Sequence, residues 1–289
     1  MSSSPGPGDP PDGAASPSPL ERLLELLDLE DVEVNVFRGF SPPETKLRVF
    51  GGQVAAQALV AAVRTVGSEH GVHSLHAYFL RAGDPARPIV YDVDRIRDGR
   101  SYVTRRVVGI QGGRAIFNLQ ASFHRPEPAG YEHQVPMPDV PGPEAAAPRD
   151  ESQLPPEAQV DFLHSVRPIV ALELPVTDPY RRRVWMRANG TMGDDPVLHT
   201  CVFTYMSDLT LLGATVAPHL AAGERPAMMA SLDHAMWFHR PFRADEWLLY
   251  DQQSASATGG RGMARGRVYT RDGVLAASVA QEGVIRPPR

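Results

Sequence analysis

Two stretches of this chain repeat one another. Phe79, Arg81 and Tyr91 recur as Phe238, Arg240 and Tyr250 at a constant offset of 159. With a two-residue insertion, Gly99, Arg100, Arg106, Val107, Gly112 and Gln120 recur as Gly260, Arg261, Arg267, Val268, Gly273 and Gln281 at offset 161. A repeat constrains architecture before any motif does, because both units must fold alike and cover each other's apolar surface. The residue patterns agree with it. In the first half a segment from about Gly52 to Val66, closed by Gly67, is apolar nearly all round through Val54, Ala55, Ala56, Ala58, Leu59 and Val60. Such a helix has to be enclosed. Four stretches rich in β-branched and aromatic residues follow, near 72–81, 88–97, 101–110 and 114–124. The second half reads in the same order, with a helix-like segment expected from Asp208 to Ala217 and strands near 228–240, 246–256, 262–271 and 274–285. Segments 33–40 and 183–188 supply the strand before each helix.

Each half is therefore β, α, then four β. One apolar helix wrapped by a curved antiparallel sheet buries such a helix with the fewest elements. This is an α+β double hotdog, two tandem repeats in one chain. Residues 2–19 hold six Pro, five Ser and three Gly with no large apolar side chain, so 1–19 reads as a disordered tail. Ser18, Pro19 and Glu21 then form an N-cap, a first-turn proline and the acid of a capping box before the leucine-rich run from Leu20. The N-terminal repeat is expected over 20–125. Residues 126–158 carry nine prolines and read as a linker, leaving 159–289 as the C-terminal repeat that holds the candidate catalytic residues.

Composition excludes several classes. The chain has 29 basic and 34 acidic residues, a net charge of −5, which argues against a nucleic-acid binder drawn by phosphate charge. No run approaches the length of a membrane span, and the start lacks the basic-then-apolar pattern of a signal peptide. One cysteine, Cys201, can form neither an internal disulfide nor a paired-cysteine zinc site. A cytoplasmic protein without metal is expected, and the C-terminal string Arg286-Pro287-Pro288-Arg289 is not a peroxisomal Ser-Lys-Leu address. The glycine-rich Gly259-Gly260-Arg261-Gly262 resembles a nucleotide loop, but the repeat aligns it with the start of a strand. His73 and His76 lie at odd spacing within one strand, which points them to opposite faces and away from a shared metal.

Three polar residues of the second half stand out. Asp208 sits where its helix is expected to start, Ser231 opens a strand, and Gln281 interrupts the small, apolar strand Val274 to Val284. Taken singly they read as an N-cap, a surface hydroxyl and an edge amide. Taken with their surroundings they resemble the acyl-CoA thioesterase II family. The resemblance rests on Phe50-Gly51-Gly52-Gln53 with Gln57, on the string from His73 to Arg81, and on Arg97-Asp98-Gly99-Arg100-Ser101. It continues through Ser207-Asp208, Ser231-Leu232-Asp233-His234, Trp237 to Phe242, and Gln281-Glu282-Gly283.

The resemblance implies hydrolysis of acyl-CoA to free fatty acid and coenzyme A by activated water, with no cofactor and with Asp208, Ser231 and Gln281 as the catalytic set. These types suit the task, since a carboxylate, a hydroxyl and an amide can hold one water from three sides. Other readings are an acyl-CoA-binding protein without catalysis and a hotdog enoyl-CoA hydratase, although no Asp is followed five residues later by the Asn of the hydratase motif. The partner is an acyl-CoA substrate, with no nucleic acid and no membrane, and the resemblance implies homo-oligomers of whole chains. The phosphates of coenzyme A require local cations. Arg105, Arg106, Arg261, Arg265, Arg267 and Arg181-Arg182-Arg183 form the pool from which a subset is expected to line the pocket mouth.

Overall fold

The structure is a computed structural model that describes residues 16–127, 130–148 and 167–288. The tail expected over 1–19 lies mostly outside the described residues. Its last positions begin the fold. Helix α1 (Pro19–Leu27) opens on the anticipated capping box, the Ser18 hydroxyl accepting the Glu21 N–H at 3.2 Å and the Glu21 carboxylate accepting the Ser18 N–H at 2.6 Å. Its apolar stripe of Leu20, Leu23 and Leu27 is buried.

The first half continues with β1 (Glu30–Glu33), β2 (Val36–Gly39), α2 (Gly51–Val63), β3 (Gly71–Phe79), β4 (Ile89–Asp98), β5 (Tyr102–Gln111) and β6 (Arg114–His124). The short β7 (Ala147–Pro148) and β8 (Ile169–Glu173) precede β9 (Arg181–Ala188), α3 (Pro196–Ser207) and α4 (Gly213–Ala221). The chain ends with β10 (Met228–Ser231), β11 (Asp233–Phe238), β12 (Leu248–Thr258), β13 (Arg261–Thr270) and β14 (Leu275–Arg286). Hydrogen bonding orders the strands β2-β4-β5-β6-β3 in the first half and β9-β12-β13-β14-β11 in mirrored sequence in the second. Both halves thus use one topology, the double hotdog. β3 and β11 then pair antiparallel, from Asp233 opposite Tyr78 to Trp237 opposite Ser74, and fuse the halves into one continuous sheet. Helices α2 and α3 occupy its concave side, and ten of the thirteen residues of α2 are buried, as a helix apolar all round requires. The start of α2 abuts the end of α3: the Phe50 and Tyr205 rings meet edge to face at 5.0 Å, and Gly52 lies against the Tyr205 carbonyl so closely that no side chain fits. Among the described residues no helix is long and apolar enough to cross a membrane.

The structure changes three expectations. The helix awaited at Asp208–Ala217 is two helices, α3 ending just before Asp208 and α4 beginning at Gly213. The residues from 130 to 148, read as linker, lie against the second half: the Trp185 indole donates to the Pro141 carbonyl at 2.9 Å, and Met137, Val140 and Ala146 pack with Trp185, Tyr269 and Leu275. A proline-rich segment can do this because prolines leave few backbone donors to satisfy. Finally, strand register corrects the repeat. Gln120 faces His76 across β3–β6, whereas Ala280 faces Ala235 across β14–β11, so the residue at the place of Gln281 is Ala121. Gln120 is on the opposite face.

Candidate active site

Asp208 sits at the end of its helix. Helix α3 starts from Asp195, whose carboxylate accepts the Val197 N–H at 2.9 Å, and carries Pro196 in its first turn. Asp208 is the C-terminal cap, with φ −85° and ψ −9°. The carboxylate nevertheless meets a helix N-terminus, that of α2 from the other half. Phe50 precedes α2 without a capping side chain, so the first-turn N–H groups lack the usual acceptor. Asp208 accepts the Gly52 N–H and supplies one. Gly51 is glycine for a steric reason, since a Cβ there would lie 2.6 Å from Asp208 Oδ2 and 3.0 Å from the Phe79 ring. We expect Gly51→Ala to lower turnover at least about tenfold by displacing that carboxylate, as small misplacements of reacting groups do. Hydrolysis assays with melting curves check this, and unaltered turnover would contradict the placement.

Ser231 ends β10, where one expected strand breaks at Leu232 before β11. Gln281 lies in β14, flanked by β13 and by the β10–β11 pair, with its side chain on the concave face and fully buried. The three predicted residues converge. Gln281 Nε2 donates to Asp208 Oδ1 at 2.6 Å and to Ser231 Oγ at 2.9 Å, and the Ser231 hydroxyl donates to Asp208 Oδ1 at 3.4 Å. Facing an acceptor-only carboxylate fixes which end of the amide points inward. Gln281 Oε1, the other branch of the same amide, is buried without a partner among the described residues.

Residues that carry no chemistry hold the carboxylate in place. Ser207, next to Asp208, bonds through Oγ to His234 Nε2 at 2.8 Å, and its carbonyl accepts the Tyr250 hydroxyl at 3.4 Å. Burial drives the His234 pKa down to about 4, so the ring is neutral at neutral pH. Burial is also the largest influence on Asp208, raising its pKa to about 6. The hydrogen bonds from Gln281, Ser231 and Gly52, and then the charge of Arg48, pull the other way. Asp208 thus meets a helix start, as its N-cap reading implied, but that of α2 rather than of its own helix, and loss of water outweighs the stabilisation it gives. Arg48 donates to the Met229 carbonyl at 3.2 Å, two residues from Ser231.

The first half lacks this constellation. Arg64 ends α2 where Asp208 ends α3, Val72 takes the register position of Ser231, and Ala121 that of Gln281. Sequence reasoning missed Arg48, Gly51, Gly52 and His234 as parts of the site. The available signal was a helix opening on two glycines with no capping side chain, which asks for an acceptor from elsewhere.

The arginine pool divides clearly. Arg105 is 1% exposed and bonded to Thr65 and Asp98, Arg181 and Arg183 share Asp251, Arg182 pairs with Glu173, and Arg106 pairs with Asp94. Arg265 and Arg267 are exposed on the convex face, alternating with buried Ala264, Gly266 and Val268. These residues support the fold or face solvent. Arg261 lines a cleft.

Comparison with known proteins gives the family and the fold. The family described as acyl-CoA thioesterase matches residues 162–284, and the acyl-CoA thioesterase N-terminal domain matches residues 41–124. Acyl-coenzyme A thioesterase 8 of Mus musculus is 42% identical over 286 residues, covering 91% of this chain and 88% of that one. Acyl-CoA thioesterase 2 of Haemophilus influenzae is 37% identical, covering 92% and 98%. A crystal structure of an acyl-CoA thioesterase II from Mycobacterium marinum is 45% identical and superposes with a TM-score of 0.80 over 92% of this chain and 98% of that one. The chain belongs to the acyl-CoA thioesterase family.

Proposed function

We propose that the Asp208–Ser231–Gln281 centre hydrolyses acyl-CoA to a free fatty acid and coenzyme A by direct attack of water. The observation that carries this reading is the convergence of one carboxylate, one hydroxyl and one amide within hydrogen-bond distance, beside an uncapped helix start. A water held by Asp208 and by the free Gln281 Oε1 is aimed at the thioester carbonyl carbon, and Asp208 takes its proton as the C–O bond forms. Both Gln281 N–H groups are engaged within the centre, so negative charge on the thioester oxygen falls to the first-turn N–H groups of α2 that Asp208 leaves unused. Collapse of the intermediate expels coenzyme A as a thiolate. A thiolate leaves readily, which makes a base of pKa about 6 sufficient. An acyl-CoA-binding role would leave the buried carboxylate without purpose. We place the protein in the cytoplasm, acting in fatty acid metabolism, with whole chains associating further.

The pH dependence tests the base. Asp208 must be ionised, so kcat/KM is expected to fall with unit slope below pH about 6. Arg48→Ala removes a charge that favours the ionised form and should move this limb to higher pH. A limb that stays near the ordinary carboxylate range in both proteins would exclude Asp208 as the base.

A further inference from the structure

Strand β10 leads from Ser231 back to an open cleft of about 230 Å³ at the far end of β14. Its lining combines apolar Val216 of α4, Pro226 and Ile285 with the guanidinium-bearing Arg225, Arg261 and Arg286. Beside the cleft Glu224 pairs with His219, and Glu282 pairs with Arg261 at 3.1 Å. Ser231 stands opposite Gly283 and Met228 opposite Arg286, so the cleft begins three residues from the hydroxyl, roughly 10 Å along an extended strand. Among the described residues, Leu212 and Thr215 fill the concave face between the two. On the concave face of β14, Gly283 separates Gln281 from Ile285, and Leu212 packs against it where a side chain would otherwise stand. Thr215 closes the neighbouring position in the same way, with its Cβ 2.6 Å from where a Cβ on Gly262 would be. A ligand that reaches both places has to cross the surface along β10.

We propose that this cleft holds the phosphorylated adenine nucleotide of coenzyme A, the pantetheine arm running over β10 to the thioester at Asp208. The assignment rests on the thioesterase reading above. A nucleotide needs apolar surface for its base and fork-shaped cations for its phosphates, and the cleft lining includes both. An acyl tail would need the interior route that Leu212 and Thr215 close, and has no use for three arginines.

The test uses the full-length protein, its Arg225→Ala/Arg286→Ala variant and the single Arg286→Glu variant, with melting curves to show that each folds. Calorimetry with adenosine 3′,5′-bisphosphate should show binding to the parent that weakens at least about tenfold in the variants and with added salt. The ratio of kcat/KM for decanoyl-CoA to that for decanoyl-pantetheine should fall at least about tenfold, the loss residing in KM. If bisphosphate affinity and the ratio both stay within about twofold of the parent, the cleft is not the nucleotide site. If instead the variants change chain-length preference among acyl-pantetheines, an acyl tail occupies the cleft and the proposal is overturned. Should the parent hydrolyse no thioester yet bind the bisphosphate through these arginines, the thioesterase reading fails and the nucleotide site stands.

Discussion

Asp208→Asn is expected to lower kcat/KM for acyl-CoA by two or more orders of magnitude without lowering the melting temperature at pH 7.5. The first part follows from removing the proton acceptor at almost constant volume, since general-base contributions are roughly 10²–10⁴-fold. The second follows from linkage. Burial raises the folded-state pKa of Asp208 from 3.8 to about 6, so the folded protein binds more protons than the unfolded chain between those values. For a raised carboxylate the sign is a loss of stability as pH rises through that window, complete above pH about 6 and absent below about 4. The ionised group therefore costs the fold up to about 3 kcal/mol at neutral pH. An amide carries no such cost and keeps one oxygen to accept the Gln281 N–H. Thioester assays and melting curves from pH 4 to 8 give both readouts. Hydrolysis within threefold of the parent would remove Asp208 from the mechanism, and a marked drop in melting temperature would make its carboxylate a structural group.

Most of the architecture was legible because strands and enclosed helices leave strong marks. β-branched runs between turn residues located β3 to β6 and β11 to β14 to within a few residues, and the near-continuous alanine and valine run of α2 announced a helix with no wet face. The second half was harder. Asp208 followed by Leu209, Thr210, Leu211 and Leu212 imitates a helix start, while the true start, Asp195-Pro196, precedes a segment rich in threonine, valine and aromatic residues whose propensity is poor. Tertiary enclosure overrides that propensity, and seven consecutive residues from Cys201 to Ser207 are buried. The repeat misled at one point for a related reason. Identity between Gln120 and Gln281 ignores a one-residue difference in register, and in a strand one residue is the difference between two faces. The meeting of Asp208 with Gly51 and Gly52 was invisible because it joins residues of opposite halves across the fused sheet. Arginine roles were equally hidden, since Arg105 and Arg265 look alike in sequence, and only burial separates a structural cation from a solvated one.

Gln281→Ala is the other large effect, expected to reduce kcat roughly 10²-fold, as loss of a preorganised donor does. The amide does two things at once. Its two N–H groups tie Asp208 to Ser231, and it is the strongest of the hydrogen bonds that favour ionised Asp208. Without it the hydroxyl and carboxylate lose their mutual register, and the acidic limb of kcat/KM shifts upward in pH because burial is left less opposed. The fold should accept the change. The first half already carries Ala121 at this register position, fully buried in the same sheet, so a small residue there is compatible with the strand pairing. Gln120→Ala, on the exposed face, is the matched control, and its turnover should remain within about threefold of the parent, as for surface changes remote from a site. Equal losses at both positions would mean that the two halves share the chemistry. A Gln281→Ala protein with normal turnover and an unshifted limb would show that Asp208 is held and ionised without the amide, and the three-residue centre would reduce to Asp208 and its contact with the start of α2.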